Sequence, residues 1–141
     1  MWLLFALGSA FFAGITAVFA KLGIHGHDSA LVTALRTSVV FLGAWIVATI
    51  SIKGHFASEL TTITPRTYLF LFLSGLATGA SWLCYYRALQ EGPASVVVPI
   101  DKLSILVTVA FSALMLRESV SGRYLLGIAG LCAGTILMVI G

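Results

Sequence analysis

Apolar and polar positions alternate on a long scale along this chain. Five apolar stretches, Trp2 to Leu22, Ala30 to Ile52, Thr67 to Leu89, Ala94 to Leu116 and Gly122 to Ile140, are divided by short polar segments. A hydrocarbon core of about 30 Å takes roughly 20 residues of helix, so each stretch is long enough to cross it. The joints carry the breakers. His25-Gly26-His27-Asp28-Ser29 separates spans one and two, with Asp28 or Ser29 placed to cap the second. Lys53 to Arg66 is the longest polar segment; Ala57-Ser58-Glu59-Leu60 reads as one interfacial turn, and Thr64-Pro65 as a helix start. Glu91-Gly92-Pro93 closes span three, Gly92 suiting a left-handed cap and Pro93 being unable to continue the helix. Arg117 to Ser121 makes the last tight turn, with Ser121 as cap of span five.

Composition turns this pattern into a fold class. Of 141 residues 60% are hydrophobic and 9% charged, with a mean hydropathy of +1.07. A water-soluble domain needs more polar surface than that, whereas lipid accepts apolar side chains on every face of a helix. The expected fold is an all-α integral membrane protein, one domain over 1–141, built as a bundle of about five transmembrane helices surrounded by membrane lipid. The net charge of +3 comes from Lys and Arg scattered singly, without a basic patch, so no nucleic-acid partner is predicted. Span one has no basic region before it and no small-residue cleavage site after it, which argues against a cleaved signal peptide. Cys84 and Cys132 lie in apolar runs and read as small buried hydrophobes. An odd number of spans puts the termini on opposite faces. Lys53, Arg66, Arg117 and Arg123 then face Lys21, Arg36 and Arg87, a narrow excess that favours a cytoplasmic N-terminus.

The residues foreign to lipid carry the functional signal. Arg36 lies about two turns into span two, and Asp101-Lys102 about two turns into span four. Such residues cost roughly 2.5 to 3.5 kcal/mol each at mid-membrane, so they are expected to face a bundle interior or an aqueous cavity. Loop parity places Arg36 and Asp101 at similar depth, where they can pair. Asp101 and Lys102, about 100° apart on a helix, cannot both face one point. Two readings stand side by side: an ion pair that fixes helix packing, or residues that handle substrate or protons. Pro99, two residues ahead, removes a backbone hydrogen bond and predicts a kink. Kinked helices near polar residues are where transporters place their sites, although a kink for packing alone is the plainer alternative.

Trp82 and Tyr86, four apart on one face of span three, are either interfacial aromatics or the lining of a pocket for an apolar or aromatic substrate. Gly75 and Gly79, and the denser stripe Gly127, Gly130 and Gly134, permit close helix approach within the chain or between chains. Span five is the first candidate for a subunit interface. His25, His27 and Asp28 make an incomplete metal set. There is no phosphate loop, nucleophile elbow or zinc-protease motif. No metal, cofactor or catalytic residue is therefore predicted, and the chain does not read as an enzyme.

The stretch "RALQEGPASVVVPIDKLS" resembles the connection into helix four of the EamA-type domain of the drug/metabolite transporter superfamily. "LMLRESVSGRYLLGIAG" is similar to its turn into helix five, and "FAKLGIHGHDSALVTALRTSV" to its passage from helix one into helix two. The resemblance covers essentially the whole chain and is nearest to the short, five-helix, half-length branch. It implies half of an inverted-repeat transporter: a secondary-active carrier of small organic metabolites or drugs in the cell inner membrane. A lone half needs a second one, and a homodimer, parallel or antiparallel, is expected to supply it. Lys102, Asp101, Arg36 and Lys21 are then the expected polar contacts for a small-molecule substrate or a proton. The competing expectation is a non-transporting membrane subunit that packs against a partner in a larger complex.

Overall fold

A computed structural model describes residues 1–52, 56–116 and 121–141. Its elements are α1 (Trp2–Gly23), α2 (Ser29–Ile52), α3 (Phe56–Thr62), α4 (Pro65–Glu91), α5 (Ala94–Asp101), α6 (Ser104–Phe111), a π-helical turn (Ser112–Leu116) and α7 (Gly122–Ile140). Every element among the described residues is helical. Five spans are long and apolar enough to cross a membrane: α1, α2, α4, α7, and Ala94–Met115, which runs through α5, α6 and the turn after them. The protein is an all-α, multi-pass membrane protein. Lys53 and Arg117, which enter the charge balance, and most of the turn before Ser121 lie outside the described residues.

Local chemistry sets the joints. Asp28 Oδ1 accepts hydrogen bonds from the amides of Ala30 (2.9 Å) and Leu31 (3.1 Å), satisfying two of the donors that the first turn of α2 leaves free. Thr64 Oγ1 accepts from the Thr67 amide at 3.3 Å, with Pro65 at the first helical position of α4. Ser121 Oγ accepts from the Tyr124 amide at 3.3 Å and caps α7. The single turn expected at Ala57–Leu60 falls within the short helix α3, and Tyr68 donates its hydroxyl to the Leu60 carbonyl at 3.3 Å. The left-handed glycine lies at Gly26 (φ +77°), in the turn after α1, and not at Gly92. Gly92 precedes Pro93, and a residue before proline is driven toward extended backbone.

The described chain forms two compact units. One comprises Met1–Lys21 with Glu91–Gly141, and in it α5 packs against α7. The other comprises Leu22–Gln90, in which α2 meets α3 and lies beside α4. Apolar side chains point outward on every side of the helices. Leu3 (55% exposed), Leu4 (75%), Phe5 (77%) and Leu7 (61%) lie within two turns of α1, and Tyr68 to Leu73 are all exposed in sequence along α4. Residues 100° apart cannot all face a water-excluding core, so a hydrocarbon solvent is what this surface matches. The buried apolar residues are few: Ala17, Ala20, Ile24, Tyr86 and Leu89. Cys84 is exposed and Cys132 partly so, against the expectation of burial; a thiol facing lipid is still in apolar surroundings without being covered by protein.

Candidate functional site

The fourth span is interrupted by a short 3₁₀ turn between α5 and α6. Pro99 has no N–H to offer to the Ser95 carbonyl, and the backbone tightens just after it. The Lys102 amide reaches Val98 O at a long 3.3 Å. Leu103 then bonds to Ile100 (2.9 Å), Ile105 to Lys102 (3.2 Å) and Leu106 to Leu103 (2.9 Å), each three residues back. Such short-range bonding is the 3₁₀ pattern, and α5 ends at Asp101 with α6 starting at Ser104. Lys102 Nζ folds back to 3.6 Å from Asp101 Oδ2, their side chains remaining 55% and 37% exposed. This corrects the expectation that the two must diverge. Lys102 is the cap residue of α5, still in helical conformation, and its long stem folds back to close the gap. A second irregularity, the π-helical turn at Ser112–Leu116, follows in the same span.

In the other unit, Arg36 of α2 lies over two rings of α4. Its Cζ is 4.6 Å from the Trp82 ring centroid and 5.4 Å from that of Tyr86. Trp82 and Tyr86 therefore share a face, as their four-residue spacing predicts. Each cation–π contact contributes about 0.5 to 2 kcal/mol depending on desolvation, so the two together offset much of the roughly 2.5 to 3.5 kcal/mol that an arginine costs in a span. The planar guanidinium suits this stacking where an ammonium would not. Among the described residues Arg36 has neither a carboxylate partner nor a hydrogen-bond acceptor. Tyr86 is 1% exposed, and its hydroxyl is buried without a partner.

Trp82 also borders an open groove of about 740 Å³ between α2 and α4. Ala30, Thr33, Thr37, Ser74, Gly75, Thr78 and Gly79 are among its walls. The Thr33, Thr37 and Thr78 hydroxyls donate to carbonyls one turn back at 2.7 to 2.8 Å, which leaves their oxygen lone pairs for a visitor. Tyr86 lies apart from this groove, under Arg36. The hydroxyl wall was missed in the sequence, although a signal for it exists. Ser74, Thr78, Trp82, Tyr86 and Gln90 follow each other at four-residue steps along α4, as do Ser29, Thr33 and Thr37 along α2.

The remaining candidates fall elsewhere. Lys21 donates to the Gly92 carbonyl at 2.8 Å. A methyl group built on Gly75, Gly79, Gly127, Gly130 or Gly134 would meet no atom within 4 Å, so these glycines make no close helix approach among the described residues. His27 offers its backbone carbonyl to Gln90 Nε2 at 3.0 Å, and Asp28 is occupied as the cap of α2. The described residues contain no cluster of metal-ligating side chains.

Charges lodged within apolar spans, one pair beside an interrupted helix and one arginine on aromatic rings, mark out a helical multi-pass membrane protein with polar groups inside its spans. The chain belongs to the EamA-like transporter family, whose model matches residues 1–140. It is 45% identical over 139 residues to an uncharacterized transporter encoded in a cobO 3' region of a Sinorhizobium species, covering 99% of this chain and 96% of that one. An uncharacterized protein of Methanocaldococcus jannaschii is 27% identical over 131 residues, covering 93% of this chain and 90% of its own. No solved structure matches.

Proposed function

We propose that this protein is a secondary-active transporter of small organic solutes in the cell inner membrane, working as a homodimer. The observation that carries the reading is the break in the fourth span, with Pro99 leading into it and the Asp101–Lys102 pair at its edge. Interrupted helices free backbone groups and give a span a point about which it can bend, and charges placed there meet substrate and coupling ion. In this reading Asp101 exchanges the proton and Lys102 holds the solute. Arg36 and Trp82 act on the α2–α4 side, and Lys21 positions the entry to α5.

The dimer is supported by what the single chain leaves uncovered. Its glycine stripes have open space before them, and its apolar faces exceed its buried core. Both relatives are matched over nine-tenths or more of their own length, so a five-span unit recurs in them as the bulk of a chain. An antiparallel pair agrees with the near balance of basic residues on the two faces.

The test is reconstitution of the purified chain in proteoliposomes, followed by a metabolite-uptake screen with and without a pH gradient. Gradient-dependent uptake that fails in Asp101→Asn supports the reading. No flux of any solute by the chain alone, with uptake restored by a second polypeptide, would assign it to the role of subunit in a larger complex.

A further inference from the structure

We propose that Arg36 is the docking point for an organic oxyanion, a carboxylate or phosphate ester on an apolar or aromatic body, and that Trp82 links that point to the α2–α4 groove. The proposal deepens the transport reading and rests on it for its physiological meaning. Three observations converge on it. Arg36 is about 10 Å along α2 from Ser29, within a span, and a charge there calls for a partner. Its Cζ lies over the Trp82 and Tyr86 rings, at 4.6 and 5.4 Å, and ring faces attract the charge without using up its N–H donors. None of its N–H donors finds an acceptor among the described residues, while the buried Tyr86 hydroxyl close by also lacks one. A planar fork with unspent donors is the arrangement that accepts a carboxylate or phosphate through two parallel bonds.

Arg36 is not itself a wall of the α2–α4 groove and borders a separate apolar pocket with Leu31, Leu35 and Val39. The body of the ligand is therefore read from what adjoins Trp82, the residue that touches both Arg36 and the groove. The groove beside it is walled by Thr33, Thr37, Ser74 and Thr78 and floored by Gly75 and Gly79, where a methyl would touch nothing. It is apolar, with hydroxyl acceptors at one-turn intervals, and wide enough for a ring. A lipid phosphate carries the same head chemistry as a soluble carboxylate, so the experiment must separate the two sources.

Trp2 and Trp45 are replaced by Phe, leaving Trp82 as the reporter, and the protein is placed in phosphatidylcholine nanodiscs. Benzoate, benzylammonium and benzyl alcohol are titrated in turn. A saturable change in Trp82 emission with benzoate, at least about tenfold tighter than with either other probe, is expected. Arg36→Gln is expected to abolish it and Arg36→Lys to recover part. Should Arg36→Gln fail to fold, the three-probe comparison on unaltered Arg36 still decides. Repeating the titration in phosphatidylglycerol nanodiscs at high salt, where the anionic surface potential is screened, identifies the source: weakened benzoate binding means the headgroup occupies the same site, and unchanged binding means a soluble anion alone does. Equal responses to all three probes, or a benzoate response that survives in folded Arg36→Gln, would overturn the proposal. Binding is read at equilibrium, apart from flux. A chain that binds benzoate but moves nothing keeps the site and loses the transport reading; one that moves solutes without preferring benzoate does the reverse.

Discussion

Lys21, in the last turn of α1, donates its ammonium to the Gly92 carbonyl at 2.8 Å and so joins positions 71 residues apart in sequence. Gly92 stands just ahead of Pro93, the cap residue of α5, and the bond fixes where the broken span begins. A hydrogen bond with a charged donor contributes about 1.5 to 3 kcal/mol. Lys21→Met, which keeps the stem and removes the charge, is therefore expected to lower the melting temperature in detergent, and Lys21→Arg to recover part of the loss. Unchanged melting in Lys21→Met would mean that the bond does not hold the entry to α5.

Asp28 and Ser121 cap α2 and α7 through their side chains. Replacing either by Ala is expected to remove about 0.5 to 2 kcal/mol, whereas Asp28→Asn, which keeps an acceptor, should be nearly silent. Thermal unfolding followed by circular dichroism reads both. If Asp28→Ala and Asp28→Asn melt alike, the two amide bonds to Asp28 are not the source of the stability.

These caps belong to what the sequence already disclosed. Asp28, Pro65 and Ser121 are local signals, readable because a cap depends on neighbours within three or four residues. The five spans are readable for the same reason, since apolarity and length are summed along the chain. The place of Arg36 over Trp82 was not, because it needs the register of α2 against α4, which no local pattern sets. Nor was the Asp101–Lys102 pair. Helical spacing points the two stems in different directions, and the contact depends on how the long lysine side chain folds, which no local pattern sets.

Pro99 is expected to matter for movement more than for stability. Pro99→Ala restores an N–H for the Ser95 carbonyl and removes the ring clash, allowing a more continuous helix. The variant should be as stable as the parent or more so, with uptake in proteoliposomes reduced about tenfold or more, a change of roughly 1.4 kcal/mol or more in the barrier to the cycle. Undiminished uptake alongside higher helicity would make the break incidental to transport.

Asp101 and Lys102 have separable expected roles. If Asp101 carries the coupling proton, Asp101→Asn should lose uphill uptake while solute exchange across equal pH persists. Lys102→Met should lose both, since it removes a contact to the solute itself. Measuring counterflow and gradient-driven uptake on the same vesicles separates the cases. Loss of both activities in Asp101→Asn, with the protein still folded, would reassign Asp101 from proton handling to holding Lys102, to which it is 3.6 Å away.

The stripe on α7 offers a test of assembly that the fold of one chain does not confound. A Cβ at Gly127, Gly130 or Gly134 meets nothing within 4 Å, so Gly130→Ala has no steric penalty inside the chain. It should even gain up to about 1 kcal/mol of helix propensity. Gly130→Leu starts from the same uncrowded Cβ, and at a close helix–helix interface its branched side chain would force the backbones apart. Native mass spectrometry in detergent should then find Gly130→Ala as a dimer or weakened dimer, and Gly130→Leu as a folded monomer with no transport. A dimer that survives Gly130→Leu, and likewise Gly127→Leu and Gly134→Leu, would move the interface off α7. The next surface to probe would be the α2–α4 groove, where Gly75 and Gly79 are equally uncovered.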